Sequence, residues 1–428
     1  MDIKNKIALS LVTTAAITSI LTGCGGSKSS TSLKTSSATC DASFTVLDSV
    51  ISSNLTLDAN KKYGMLDKVS VKSPAVLTIP AGTTIAGCAS KSFMVIQPGA
   101  KLIAVGTQAK PIVFTSQKDV LGKSHNNAGG EWGGLVLAGN AYTHYSNNKY
   151  EADQSVSFGS TGHTHDTESS GDLEYVLIKH SGFMVEKDKE LNGLSLAGVG
   201  SGTILKNIAI IGGLDDGVEI WGGTVNITGL YVYNAHDDSV DTDLGYRGTI
   251  TNVLARQVNV DSANNHDSAG MEFGNDANTI VTDDTNATQP IMINYTAYIK
   301  GGGISLKDDA GLKLTNVKFI SNKSIDEQQV FYRSADVVDT NAVHVDGDLC
   351  FKDTAITLGD NKITYSDVNS KDASTTKTAF TDWASATRHI NMGASGTINV
   401  DDNTTCAGVN EANIWKGTAG SNAPLETY

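Results

Sequence analysis

Between Asn192 and Leu254 the apolar residues fall in short β-branched runs, LSLA, ILKNIAII, VEIW, NITGLYVY, each cut by Gly, Asn or Asp. The runs recur. Leu196, Val218 and Val240 stand 22 residues apart, and Ile208, Leu230 and Val253 follow at 22 and 23. Two registers advancing together describe one supersecondary unit that buries its apolar side only by stacking on the next copy. Alternation within each run predicts strands, and the polar breaks predict turns. A coil of this length has a perimeter of roughly 70 Å, enough for two or three short strands, with coils about 4.8 Å apart. The expected fold is therefore all-β: a single-stranded right-handed parallel β-helix with coils of about 22 residues.

The same pattern extends outward. VLTIPAGTTIAG, FMVIQPGAKLIAVGT and PIVFTSQ, from Val76 onward, predict the first coils, and GEWGGLVLAGNA and LEYVLI predict others. Residues 142–171 are polar and hold three histidines, so they read as a long loop thrown out from the solenoid. After an insertion at 275–289, PIMINYTAYIKGGGISLKDDAGLKLTNVKFI resumes the coils. The expected organisation is a leader over 1–23, a tether over 24–43, the β-helix over 44–330, and terminal coils with a cap over 331–428. VHVDGDLCF, AITLGDNKITYSDV and GTINV are the candidate terminal coils, and residues 381–388 read as a short capped helix.

The leader adds a location. Lys4 and Lys6 precede an apolar run from Ile7 to Leu21, too short to span a bilayer, and then comes Leu-Thr-Gly-Cys24. This motif resembles the bacterial lipobox, which implies cleavage before Cys24 and a lipid on its thiol. Gly25, where an Asp would favour the inner membrane, makes an outer-membrane lipoprotein the expectation, facing the periplasm or the exterior. Residues 25–39 are a Ser/Thr/Gly tether. The net charge of −14, one unit more acidic without the leader, argues against nucleic acid and anionic lipid surfaces as partners. It suits cations and neutral sugars.

Four further cysteines lie in two pairs near the ends of the body. In an oxidising compartment Cys40–Cys88 and Cys350–Cys406 are the favoured pairing of the three possible ones. No CxxC motif points to redox or zinc chemistry.

Acidic residues line up when the coils are superposed. Asp215 and Asp216, Asp237 and Asp238, Asp267, and Asp308 and Asp309 precede strands, and Glu219, Asp241 and Glu272 follow one step later. With Val218 and Ile220 pointing inward, alternation sends Glu219 and Trp221, then Asp241 and Asp243, outward. Like charges about 5 Å apart repel by about 3 kcal/mol at an effective dielectric of 20. Such columns are comfortable when solvated, partly protonated or bridged, and calcium is the natural bridge for hard oxygens. Asp215, Asp216, Asp237, Asp238, Asp267 and Glu272 are the candidate calcium ligands. Glu219, Trp221, Asp241 and Asp243 are the candidate ligand-binding strip, an aromatic beside carboxylates. Asp at solenoid turns equally serves to bond local backbone N–H groups. His163, Thr164 and His165, with Asp166, His144 and His180, form a second metal candidate, because an extended HxH pair puts both imidazoles on one side.

GEWGGLVLAGNA, ELNGLSLAGVGSGT, LDDGVEIWGGTVNITGL and DDSVDTDLGYRGTI resemble a family of exported bacterial right-handed β-helix proteins, many of them lipoproteins or surface-sorted, over about residues 75–275. The resemblance implies the fold and a surface location. It implies no reaction. Asp215, Asp216, Asp237 and Asp238 also resemble the carboxylate set of polygalacturonases, although the Gly-His and Arg-x-Lys elements of those enzymes have no counterpart here. Catalytic residues stay unknown. The expected function is non-catalytic binding of a polysaccharide or another surface component; the alternative is a calcium-assisted polysaccharide lyase or glycoside hydrolase on the same face.

Overall fold

The computed structural model describes residues 39–125, 129–186, 189–258, 269–275, 286–300, 302–306, 310–321, 331–334, 345–353, 363–368, 376–380, 398–401 and 408–417. Cys24 and the leader, Asp267, Asp308, Asp309, Cys406 and the helix expected over 381–388 lie outside these residues, as does the side chain of Cys350.

The strands stack into two long sheets, one of 15 strands and one of 12 among the described residues, parallel throughout except where Ile363–Val368 meets Thr376–Phe380 antiparallel at the end of the second. This is the parallel β-helix that the repeat predicts. In the first sheet, long strands such as Gly171–Ser181, Ile204–Gly213, Asn226–Ala235 and Thr249–Arg256 follow one another. The second sheet stacks the short strands Leu135–Ala138, Leu194–Ala197, Val218–Trp221, Val240–Asp243, Ala269–Phe273 and Gly302–Leu306. Inward residues of both sheets, among them Leu137, Leu196, Ile208, Ile220, Leu230 and Val253, fuse into one continuous core.

The long strands share a bend at a fixed step, and the sequence says where. Tyr175, Asn207, Asn252, Asn294 and Asn316 occupy the same step of successive coils with φ between 51° and 60°. Asparagine tolerates this left-handed backbone better than most residues. Its amides also bond along the stack, Asn294 Nδ2 to Asn252 Oδ1 at 2.9 Å and Asn316 Nδ2 to Asn294 Oδ1 at 2.7 Å. Gly229 interrupts the row because a Cβ there would sit 2.7 Å from Asn207 Oδ1.

The registers correct one detail of the repeat. Val218 pairs with Val240, and Ile208, Leu230 and Val253 pair as expected, but Val218 stacks on Leu194, and Leu196 stacks on Ile220. The coil between them is two residues longer. A slip of two keeps every side chain on its own face, so the apolar pattern does not betray it.

Cys40 and Cys88 form a disulfide with a Cα–Cα distance of 5.1 Å. It crosses Gly64, where any Cβ would lie 2.6 Å from Cys40 Sγ. The other end of the chain turns back along the solenoid. Val409, Ile414 and Trp415 pack with Tyr231 and Tyr233 outside the first sheet. There Glu411 accepts hydrogen bonds from Arg256 Nη2 at 2.7 Å and Tyr298 OH at 2.6 Å.

Candidate functional site

The outer face of the second sheet carries the chemistry. Its central row runs Val136, Ser195, Glu219, Asp241, Glu272, Ser305, one residue per coil in strict register. The turns entering these strands supply Asn192, Asp215, Asp216, Asp237 and Asp238. Asp216, Glu219 and Asp241 thus come together from a turn and two strands. Three groups result, Asp215–Asp216–Asp237, Asp216–Glu219–Asp241 and Asp238–Asp241–Glu272, each with carboxylate oxygens within 4.8 Å of one another. Five of the six proposed calcium ligands therefore sit in one bank, joined by Glu219 and Asp241 from the ligand-binding strip. The groups overlap, sharing Asp216 and Asp241.

The turn aspartates are also structural. Asn192 Oδ1 accepts from the Asp216 N–H at 3.2 Å, Asp216 Oδ1 accepts from the Asp238 N–H at 2.8 Å, and Asp238 Oδ1 accepts from the Ala269 N–H. Each coil's side chain caps the next coil's backbone. Asn192 Nδ2 additionally donates to Glu219 Oε2.

Burial makes the bank electrostatically expensive. Asp215, Asp216, Glu219 and Asp238 are all pushed well above the usual carboxylate range, first by loss of water and then by each other and by Asp237, Asp241 and Glu272. Two residues that sequence reasoning missed add to the repulsion. Glu151 presses on Glu219 and Asp215, and Glu190 on Asp215. Glu151 itself is pushed up to about 7 by burial, then by Glu190 and Asp243. A divalent cation fits this donor set: the oxygens are hard, clustered and short of positive charge. Farther along the row Ser305 Oγ, only 1% exposed, has no hydrogen-bond partner among the described residues and stands beside Glu272 on the same face.

Trp221 corrects the expected strip. It does turn outward, yet it is 8% exposed, because residues 142–171 fold back rather than out. Asn148–Tyr150 and Asp153–Phe158 form an antiparallel hairpin laid over the sheet. Tyr150 meets the Trp221 ring edge-on at 5.3 Å, and Phe158 packs at 6.4 Å. With Val95, Val136, Val156 and Ala197 they form a second apolar cluster. Alternation gives the direction of Trp221 but not what lies above it. NKY and DQSVSF flanking Glu151-Ala152 were the only sequence trace of this hairpin. Asp243 lies beside Trp221 in the next coil, half-buried at the edge of the bank.

The histidines do not assemble a site. His163–His165 is a 3₁₀ turn rather than an extended segment. His163 Nδ1 bonds Asp166 at 2.8 Å with its ring stacked on Tyr142, and His165 faces Glu168 at 3.6 Å. His144 bonds the carbonyls of Asn275 and Asn286, and His180 is buried beside Asp119. Among the described residues, the groups gathered within metal-ligand reach consist of carboxylates.

Comparison with known families agrees with this architecture, a pectate-lyase-like β-helix domain model matching residues 49–409. The chain belongs to the pectate-lyase-like β-helix family. No curated protein and no solved structure matches it. Family membership accounts for the two stacked sheets.

Proposed function

We propose that this protein is a lipid-anchored envelope or cell-surface β-helix that binds a polysaccharide, or another surface component, through calcium held on the carboxylate bank. Cys24 carries the anchor. Asp215, Asp216, Asp237, Asp238 and Glu272 hold the cation, and Glu219, Asp241 and Asp243 flank it on the ligand side. The observation that carries this reading is the overlap of three carboxylate groups with oxygens within 4.8 Å, a spacing that a divalent cation relieves. The family's tie to polysaccharide chemistry supports the choice of ligand. The test is a glycan array probed with purified protein in calcium and in chelator, followed by recovery of the bound glycan. Calcium-dependent binding with the glycan recovered intact is the expected result; binding indifferent to chelator would overturn it.

A second reading, a calcium-assisted lyase or hydrolase, is favoured by Glu151. A carboxyl pushed up to about 7 beside other carboxylates gives and takes protons near neutrality, as a general acid or base must. New reducing ends or unsaturated products from a polysaccharide panel, lost in Glu151→Gln, would replace binding with catalysis.

A further inference from the structure

The first coils reverse the charge of the chain. Between Phe44 and His125 stand nine lysines and four aspartates, with neither Arg nor Glu, whereas the whole chain carries −14. On the outer face of the second sheet this basic end holds a groove of about 600 Å³. Its floor is Ser70, 2% exposed, in the row that runs Val50, Ser70, Val95, Val136, Ser195 and on to Glu219. Four steps of about 4.8 Å put Ser70 roughly 19 Å from the carboxylates. Ser155, from the hairpin strand Asp153–Phe158, supplies one wall and is held there by Lys68 Nζ, which bonds Ser155 Oγ at 2.9 Å and Asp153 Oδ2 at 2.6 Å.

The polar groups of this groove are only partly used. Asp153 occupies Lys68, but Lys72 lines the groove with no ion-pair or side-chain hydrogen-bond partner among the described residues. No carboxylate lines it among those residues. Gln97 Nε2 donates to Ser70 Oγ at 3.2 Å, which leaves the Ser70 proton and the Gln97 amide oxygen for a ligand. Val50, 46% exposed, and Pro98 add apolar surface beside them. A groove of this volume is larger than a bare anion fills and falls among small-molecule sites, which combine apolar walls with a few placed polar groups. A nucleic acid would need a run of cations rather than one free ammonium. We propose that the groove binds an anionic sugar residue, carboxylated or sulfated, with its acidic group on Lys72, its hydroxyls on Ser70 and Gln97, and its ring on Val50 and Pro98. This adds a second site to the glycan reading of the outer face, and it does not rest on the cation.

The test is calorimetric titration of the full chain, in chelator, with alginate, carrageenan and dextran oligomers of matched length, which are carboxylated, sulfated and neutral. An acidic oligomer should bind at least about tenfold more tightly than dextran, with affinity falling as salt rises. Which acidic oligomer binds tells carboxylate from sulfate. Lys72→Ala should lose about tenfold in affinity, and Lys72→Arg should keep most of it. Lys110→Ala, which removes the same charge outside the groove, should change affinity by less than about twofold. Neither acidic oligomer binding, dextran binding as tightly, or Lys72→Ala binding no more weakly than Lys110→Ala would overturn the groove as a site. Calcium-dependent binding at the bank is scored separately in Lys72→Ala, where the groove is silent, so the two readings fail independently.

Discussion

Asp216 Oδ1 accepts the main-chain N–H of Asp238 at 2.8 Å, so the side chain of one coil closes the backbone of the next. The same carboxylate belongs to two of the three groups in the bank. Neutral and truncating substitutions separate these duties. Asp216→Asn keeps an oxygen for the ladder, as Asn192 does naturally one coil earlier. Asp216→Ala leaves a buried N–H unpaired, a loss of about 1–3 kcal/mol. In chelator, denaturant unfolding should find Asp216→Asn as stable as the natural chain or more so, and Asp216→Ala less stable. Both should lose calcium affinity in titration. Equal loss of stability in both variants would show that the ladder bond is not what Asp216 contributes.

The bank should make stability depend on pH in a direction opposite to ordinary acid denaturation. Glu151 rises from 4.5 in the unfolded chain to about 7 in the fold, and Asp215, Asp216, Glu219 and Asp238 move the same way. Between those values the folded state holds more protons than the unfolded one. The stabilisation is therefore complete below 4.5 and lost as pH climbs through about 7. Melting curves in chelator should fall across this window, and calcium should flatten the slope by replacing the protons. A chelated protein that melts higher as pH rises from 4.5 to 7 contradicts the picture.

Trp221→Ala tests burial against recognition. A covered indole packed by Tyr150 and Phe158 is part of a core, so truncation should cost about 3–5 kcal/mol in denaturant unfolding. Glycan affinity measured well below the melting temperature should change little. A stable variant with lost glycan affinity would return Trp221 to the role of an exposed sugar platform.

Anchoring and the terminal clamps are checked together. Cys24→Ala should abolish lipid labelling and move the protein out of the detergent phase. Replacing Cys40 and Cys88 by serine opens a crosslink between residues 48 apart, worth about 4 kcal/mol in the chain-entropy account. Peptide mapping without reduction should also recover Cys350 joined to Cys406; a free thiol at either position would remove that second clamp.

The alternation of apolar residues, the recurring interval between Asn192 and Leu254 and the Gly/Asn/Asp breaks were enough to specify stacked parallel coils, because a solenoid's core depends on local pattern repeated. They also brought Asp215, Asp216, Glu219, Asp237, Asp238 and Asp241 to one face, since residues equivalent in the repeat become neighbours in space. Cys40 and Cys88 were paired correctly for a related reason, both lying in the first coils. What lies across the sheet was not legible. The two-residue slip between Leu194 and Val218 keeps every face unchanged, and so leaves no trace in the pattern. The hairpin over Trp221, the arrival of Glu151 and Glu190 at the bank, and the return of Trp415 to Tyr231 and Tyr233 depend on contacts outside the period. Only the tertiary structure decided them, because an insertion's landing place is set by the surface it can bury and not by its own alternation.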